Sequence, residues 1–316
     1  MSRWFFAIMA LALMSVSASA QAEKKKVERL TPTAADVAYG EHERQKFDFW
    51  QAKSDKPTPL VVMIHGGGWV NGDKRGYGTA AIKPFLDAGI SVASVNYRFI
   101  QHAMEMKVEP PVKAPLHDAA RAIQVLRSKA KEWNLDETRV GATGGSAGAC
   151  TSLWLAFHDD LADAKSTDPI AHESTRLWCA AVSGAQTTLD PKQMKEWTPN
   201  SKYGGHAFGF AGDKEKKLSQ FDEFLAKRET ILPWIAEYSP YALVSKDDPA
   251  IYLIYGTPPA LGQDQKDPTH TSNFGVKLQE HCKANGVECE LVYPGAPDVK
   301  HATEREFLIE KLKAAH

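Results

Sequence analysis

Short apolar runs separated by longer amphipathic stretches set the rhythm of this chain. Leu60-Val61-Val62-Met63-Ile64 is a continuous β-prone run, as expected of a strand buried on both faces. Residues 90–97, 140–144, 177–183, 251–255 and 288–293 repeat the pattern, while residues 45–50 alternate polar and apolar positions as an edge strand does. Between these runs, residues 114–134 place Leu116, Ala119, Ala120, Ile123, Leu126 and Ala130 close to i, i+3/i+4 spacing. Residues 149–158, 274–284 and 303–315 read as further helices. Strands alternating with helices predict an α/β fold with a mostly parallel central sheet and helices on both faces. Residues 187–240 break the alternation. They show no strand pattern and carry Trp197, Tyr203, His206, Phe208, Phe210, Phe221 and Trp234. A segment of this kind between two core strands predicts a lid or binding wall, with plain surface helices over the sheet as the alternative.

The first residues follow a different logic. Arg3, the apolar stretch 4–16 and Ala18-Ser19-Ala20 have the order of a secretory signal peptide with cleavage after Ala20. Ala20-Gln21-Ala22 is a near-equivalent site. That predicts a leader at 1–20, one domain over 21–316 and a secreted or periplasmic location. The apolar stretch is shorter than the roughly 20 residues a spanning helix needs, so no stable membrane insertion is expected after cleavage. Export makes disulfides possible. Cys282 and Cys289 flank Asn285-Gly286, which suggests a local bridge and leaves Cys150 with Cys179, although other pairings and free thiols stay open.

Charge narrows the partners. Lys and Arg total 38 against 39 Asp and Glu, so no global basic field exists to hold nucleic acid, and none is expected. No C-x-x-C or His-rich spacing points to a metal, and no cofactor is expected.

Two glycine-bearing motifs carry the chemistry. Gly144-Gly145-Ser146-Ala147-Gly148 follows the predicted strand 139–143 and opens a helical run. A sharp strand-to-helix turn of this composition leaves Ser146 exposed in a strained conformation, with Gly144 and Gly148 where the two elements nearly touch. His65-Gly66-Gly67-Gly68-Trp69 follows residues 60–64 directly. Its glycines let amide groups of Gly67 and Gly68, with that of Ala147, converge on a developing oxyanion. His65 is read as orienting the turn, and Trp69 as a pocket wall or a loop anchor. Asp118 is read as structural.

With these motifs in view, the chain resembles the α/β-hydrolase superfamily, and within it hormone-sensitive-lipase-like and feruloyl-esterase-like carboxylesterases. Val95-Asn96-Tyr97-Arg98, His117-Asp118-Ala119-Ala120-Arg121-Ala122 and the stretch from Ser239-Pro240 to Tyr255-Gly256 fit the same pattern. The resemblance implies an α/β-hydrolase fold and a secreted serine esterase acting through an acyl-enzyme on Ser146. It further implies a Ser-Asp-His order and small-molecule or polysaccharide esters as substrates, acetyl or feruloyl among them. By that order His301, after the last strand, is the expected base, although residues 294–300 form a longer loop than the resemblance implies. Asp267 is the expected acid, with Asp264 as alternative. His270 is expected to line the substrate site with Trp69. Arylformamidase-like amide hydrolysis and a non-catalytic binding protein are the competing readings.

Overall fold

In the computed structural model, which describes residues 29–314, the apolar runs pair into one eight-stranded sheet. The leader expected at 1–20 lies outside the described residues. The strands are β1 (Ala34–Ala38), β2 (Lys46–Trp50), β3 (Thr58–Ile64), β4 (Ser91–Val95), β5 (Leu135–Gly145), β6 (Cys179–Ser183), β7 (Ala250–Ile254) and β8 (Cys289–Val292). Across the sheet they run β1-β2-β4-β3-β5-β6-β7-β8. From β4 to β8 every pairing is parallel, while β1 on β2 and β2 on β4 are antiparallel. Residues 45–50 therefore do not form the edge. β1 pairs along that flank, Phe47 and Phe49 are buried against Trp133 on one face and Trp50 on the other, and the short, alanine-rich sequence of β1 gives no strong apolar signal of its own.

The helices follow as α1 (Thr79–Asp87), α2 (Ile100–Glu105), α3 (Lys113–Ser128), α4 (Ala147–Phe157), α5 (Pro191–Trp197), α6 (Gln220–Ala226), α7 (Leu232–Tyr238), α8 (Pro240–Leu243), α9 (Ser272–Ala284) and α10 (Glu304–Lys313). Strand residues alternate between two packed layers. Val61, Met63, Val92 and Ala181 meet Ile82 and Phe85 of α1 and Phe307, Leu308 and Leu312 of α10. Val62, Ile64, Ala142, Val182 and Leu253 meet Leu116 and Ile123 of α3, Leu153 of α4 and Leu278 of α9. Burial on both faces is why the inner strands read as unbroken apolar runs.

Residues 187–240 contain α5, α6, α7 and no strand. Trp197, Phe208, Phe221 and Phe224 from this segment are buried in the same layer as α3 and α4. The two layers also settle the cysteines. Cys150 packs on the α3/α4 side of the sheet and Cys179 on the α1/α10 side, so that pair cannot bridge. All four cysteines are free thiols, and the neighbouring Cys282 thiol together with burial pushes the Cys289 thiol up.

One buried ion pair ties the chain upstream of the site to α3. Asp118 is 1% exposed and accepts from the backbone amide of Arg98 (2.8 Å), its guanidinium (Nη2, 2.6 Å; Nε, 2.9 Å) and Gln45 Nε2 (2.8 Å). Asp118→Ala removes the only carboxylate on this guanidinium among the described residues. We expect a loss of about 3 kcal/mol, because a desolvated charge is left unpaired, read as a lowered midpoint in urea unfolding.

Candidate active site

Crowding at the end of β3 dictates the geometry of the turn after β5. A Cβ on Gly144 would lie 2.3 Å from the Ile64 carbonyl oxygen, and one on Gly148 would lie 2.0 Å from it. Only glycine fits at either position, so the chain passes from strand to helix in one sharp step. Ser146 occupies the apex at φ 54°, ψ −122°, a backbone conformation side chains rarely adopt. It is held there by its amide on the Ser183 carbonyl (3.0 Å) and by its carbonyl accepting from the Cys150 amide (2.9 Å).

His270 reaches this hydroxyl. Its Nε2 stands 2.9 Å from Ser146 Oγ, and its Nδ1 stands 2.8 Å from Asp267 Oδ2. A carboxylate only accepts, so Nδ1 carries the proton and Nε2 presents a lone pair to the serine hydroxyl. The other oxygen of Asp267 accepts from the backbone amides of Thr269 (3.1 Å) and His270 (3.2 Å), which folds the acid and the imidazole into one turn of the β7–α9 loop. Partial burial opposes ionisation of Asp267, but the His270 ring and these amides outweigh it and hold the carboxyl below its usual range. Fully buried Gln186 keeps the loop in place, with Nε2 donating to the carbonyls of Thr269 (2.8 Å) and Gly184 (3.1 Å).

This corrects the assignment of the base to His301, and of His270 to a mere lining position. The His301 ring is pinned between two glutamates, Nδ1 on Glu290 (2.9 Å) and Nε2 on Glu310 (2.9 Å), and its carbonyl accepts from Tyr252 (3.2 Å). Both ring nitrogens are spent, and the residue fastens β8 to α10. Asp264 is exposed, with no contact to either imidazole. The misplacement has a physical source. The loop after β7 is long enough to hold both acid and base, and the D-x-x-H spacing of Asp267 and His270 is the signal that could have revealed it. Gln186 gave no signal at all.

The glycine turn after β3 packs beside the serine, with the Cβ position of Gly66 3.4 Å from Ser146 Cβ. The Gly66 carbonyl accepts from His65 Nδ1 (2.8 Å) and Tyr97 (3.2 Å), and the Gly67 carbonyl accepts from the amides of Val70 (3.0 Å) and Asn71 (3.1 Å). In trans peptides the amides of Gly67 and Gly68 therefore point away from those contacts, and they find no protein acceptor among the described residues. Ala147 is the first residue of α4, so its amide has no partner within the helix. Burial pushes His65 down to about 4, leaving a neutral ring that orients the turn. Trp69 is a loop anchor and not a pocket wall. It is fully buried, and its indole donates to Thr151 (3.0 Å). His206, from the strandless segment, donates to the Gly68 carbonyl (2.9 Å). An open cavity of about 540 Å³ borders Ser146, His270, Ser183, Tyr255 and Glu304.

The strand order, the strained serine and the glycine turn define an α/β-hydrolase. Within that class the chain belongs to the BD-FAE family, whose model matches residues 48–272. It is 29% identical over 291 residues to the probable carboxylic ester hydrolase LipM of Mycobacterium tuberculosis, covering 89% of this chain and 58% of the relative. It is 30% identical over 251 residues to carboxylesterase NlhH of the same species, covering 77% and 66%. Less than the full length of these relatives is thus spanned. Among solved structures, a truncated carbohydrate esterase from gut microbiota superposes with TM-score 0.64 at 20% identity, covering 89% of this chain and 96% of that one. No helix among the described residues is long and apolar enough to cross a membrane.

Burial disfavours the charged form of His301, yet the two glutamates prevail and raise its pKa. A group raised on folding contributes stability that is fully present below its unfolded value of about 6.5 and is lost as pH rises through the folded value. Thermal unfolding of wild type against His301→Gln should therefore show the largest gap below about pH 6 and a shrinking gap in alkali. A gap that grows with pH contradicts the clamp.

Proposed function

We propose that the chain is an exported serine carboxylesterase that hydrolyses acetyl or feruloyl esters of polysaccharides through an acyl-enzyme on Ser146. The observation that carries the reading is the continuous relay from Asp267 Oδ2 through His270 to Ser146 Oγ, at 2.8 and 2.9 Å. His270 Nε2 takes the hydroxyl proton as Ser146 Oγ attacks the ester carbonyl. Asp267 holds Nδ1 protonated and offsets the positive charge that forms on the ring. The amides of Gly67, Gly68 and Ala147 receive the oxyanion, each worth about 3 kcal/mol in such a site. His270 then returns its proton to the leaving alcohol. A water molecule, deprotonated by the same nitrogen, repeats the cycle on the acyl group and frees Ser146. His206 joins the 187–240 segment to the glycine turn, which supports its reading as a wall of the substrate site. Export rests on the leader pattern at 1–20, and the polymer substrate on the likeness to carbohydrate and carboxylic ester hydrolases.

A fluorophosphonate probe should label the wild-type protein and fail to label Ser146→Ala. His270→Ala should lower kcat/KM by roughly 10⁴-fold or more, and His301→Gln should stay within about threefold. Because Asp267 is open to solvent, Asp267→Asn should cost roughly 10² to 10³, less than the roughly 10⁴ of a buried acid. Activity that follows His301 and ignores His270 overturns the assignment.

In parallel assays, p-nitrophenyl acetate and feruloyl esters should be turned over faster than formylkynurenine, and protein recovered after secretion should begin near Gln21. Preferential turnover of formylkynurenine would favour amide hydrolysis. Retention of Met1 to Ala20 would remove the case for export.

A further inference from the structure

The cavity beside Ser146 contains a charge that the proposed chemistry does not use. Glu304, the first residue of α10, borders this cavity together with Ser146 and His270. It also borders a second, apolar recess of about 160 Å³, formed by Met63, Tyr77, Phe85, Leu308 and neighbours. Glu304 thus stands where the two spaces meet. Among the described residues the carboxylate makes no hydrogen bond and no ion pair. Two tyrosine hydroxyls that feel the charge of Glu304 are already committed, Tyr77 to the Ile64 carbonyl (2.9 Å) and Tyr252 to the His301 carbonyl (3.2 Å). The neighbouring glutamates, by contrast, are paired: Glu290 and Glu310 with His301, and Glu306 with the Ala302 amide. Thr303 caps the helix by accepting from the Glu306 amide, so Glu304 is not consumed in capping. A negative charge is favoured at this end of a helix, and the position tolerates one without a protein partner.

We propose that Glu304 is a specificity-determining residue of the Ser146 site, accepting a hydrogen bond from a hydroxyl or ammonium group on the substrate and repelling anionic substrates. The inference rests on the esterase reading of Ser146. It follows from two facts together: a half-buried acceptor with no protein donor, and a cavity shared with the reacting hydroxyl. A substrate group that donates to the carboxylate supplies the missing partner, whereas a second carboxylate in the same cavity meets like charge close at hand.

The test uses aryl esters with one common leaving group and four acyl groups: acetate, glycolate, glycinate and hemisuccinate. Each kcat/KM is divided by that for acetate, so a general loss of activity cancels. In Glu304→Gln the hemisuccinate ratio should rise about fivefold, and the ratio for glycolate, glycinate or both should fall by a similar factor, as expected for about 1 kcal/mol of charge interaction. Glu304→Lys should push the hemisuccinate ratio further in the same direction. A fall confined to glycinate identifies the favoured group as a cation, and one confined to glycolate identifies it as a hydroxyl. Ratios unchanged in both variants, with acetate still hydrolysed, overturn the role of Glu304 and leave the esterase reading standing. Wild-type protein that turns over none of the four esters overturns both.

Discussion

The carbonyl oxygen of Ile64 is the point around which this molecule is organised. Two segments from opposite sides of a tight bend come so near it that a methyl group on either would overlap it, at 2.3 Å from Gly144 and 2.0 Å from Gly148. The bend can be this sharp because both positions are glycine, and because it is this sharp, Ser146 is forced to a positive φ at the tip. The same proximity sets the glycine turn after β3 beside the serine, since β3 and β5 are paired neighbours in the sheet. Sheet register, backbone strain and site assembly are thus one steric fact. The surrounding packing sustains the strained backbone through the amide contact to Ser183 and the well-buried α4.

Two histidines illustrate how partner chemistry, more than position in the chain, decides what an imidazole can do. His301 sits after the last strand, yet Glu290 and Glu310 occupy both of its nitrogens. His270 sits in a loop, faces one carboxylate, and keeps its second nitrogen for a neutral hydroxyl. The first arrangement is a structural ion cluster that joins a strand to a helix. The second leaves a basic lone pair aimed at a group whose proton can move.

Much of the architecture was legible in the chain. The inner parallel strands announced themselves because burial on both faces demands nearly unbroken apolar residues, and the two glycine motifs were explicit because backbone crowding admits no substitute. What escaped lay where side-chain pattern carries little information. Strand β1, with Ala34, Ala35 and Ala38, is too short and alanine-rich to stand out and is identified by its pairing with β2. Trp69 could have walled a pocket or anchored its loop, and its full burial and contact with Thr151 show the anchor. The identity of the imidazole at Ser146 depended on which loop is long enough to deliver one, and loop conformation is not encoded in hydrophobic periodicity. Cys150 and Cys179 look like partners by elimination, but alternation along a strand and around a helix sends them to opposite sides of the sheet.

Asp267 and His270 belong to a single turn, braced from beneath by Gln186. Carboxylate and ring therefore travel as a rigid pair. A shift of this loop would change the reach to the serine without breaking the contact between the two, so a single coordinate governs assembly of the whole triplet. The segment after β8, relieved of delivering an imidazole to the serine, instead carries His301 into its clamp between Glu290 and Glu310 and leads to α10, whose first residue borders the cleft.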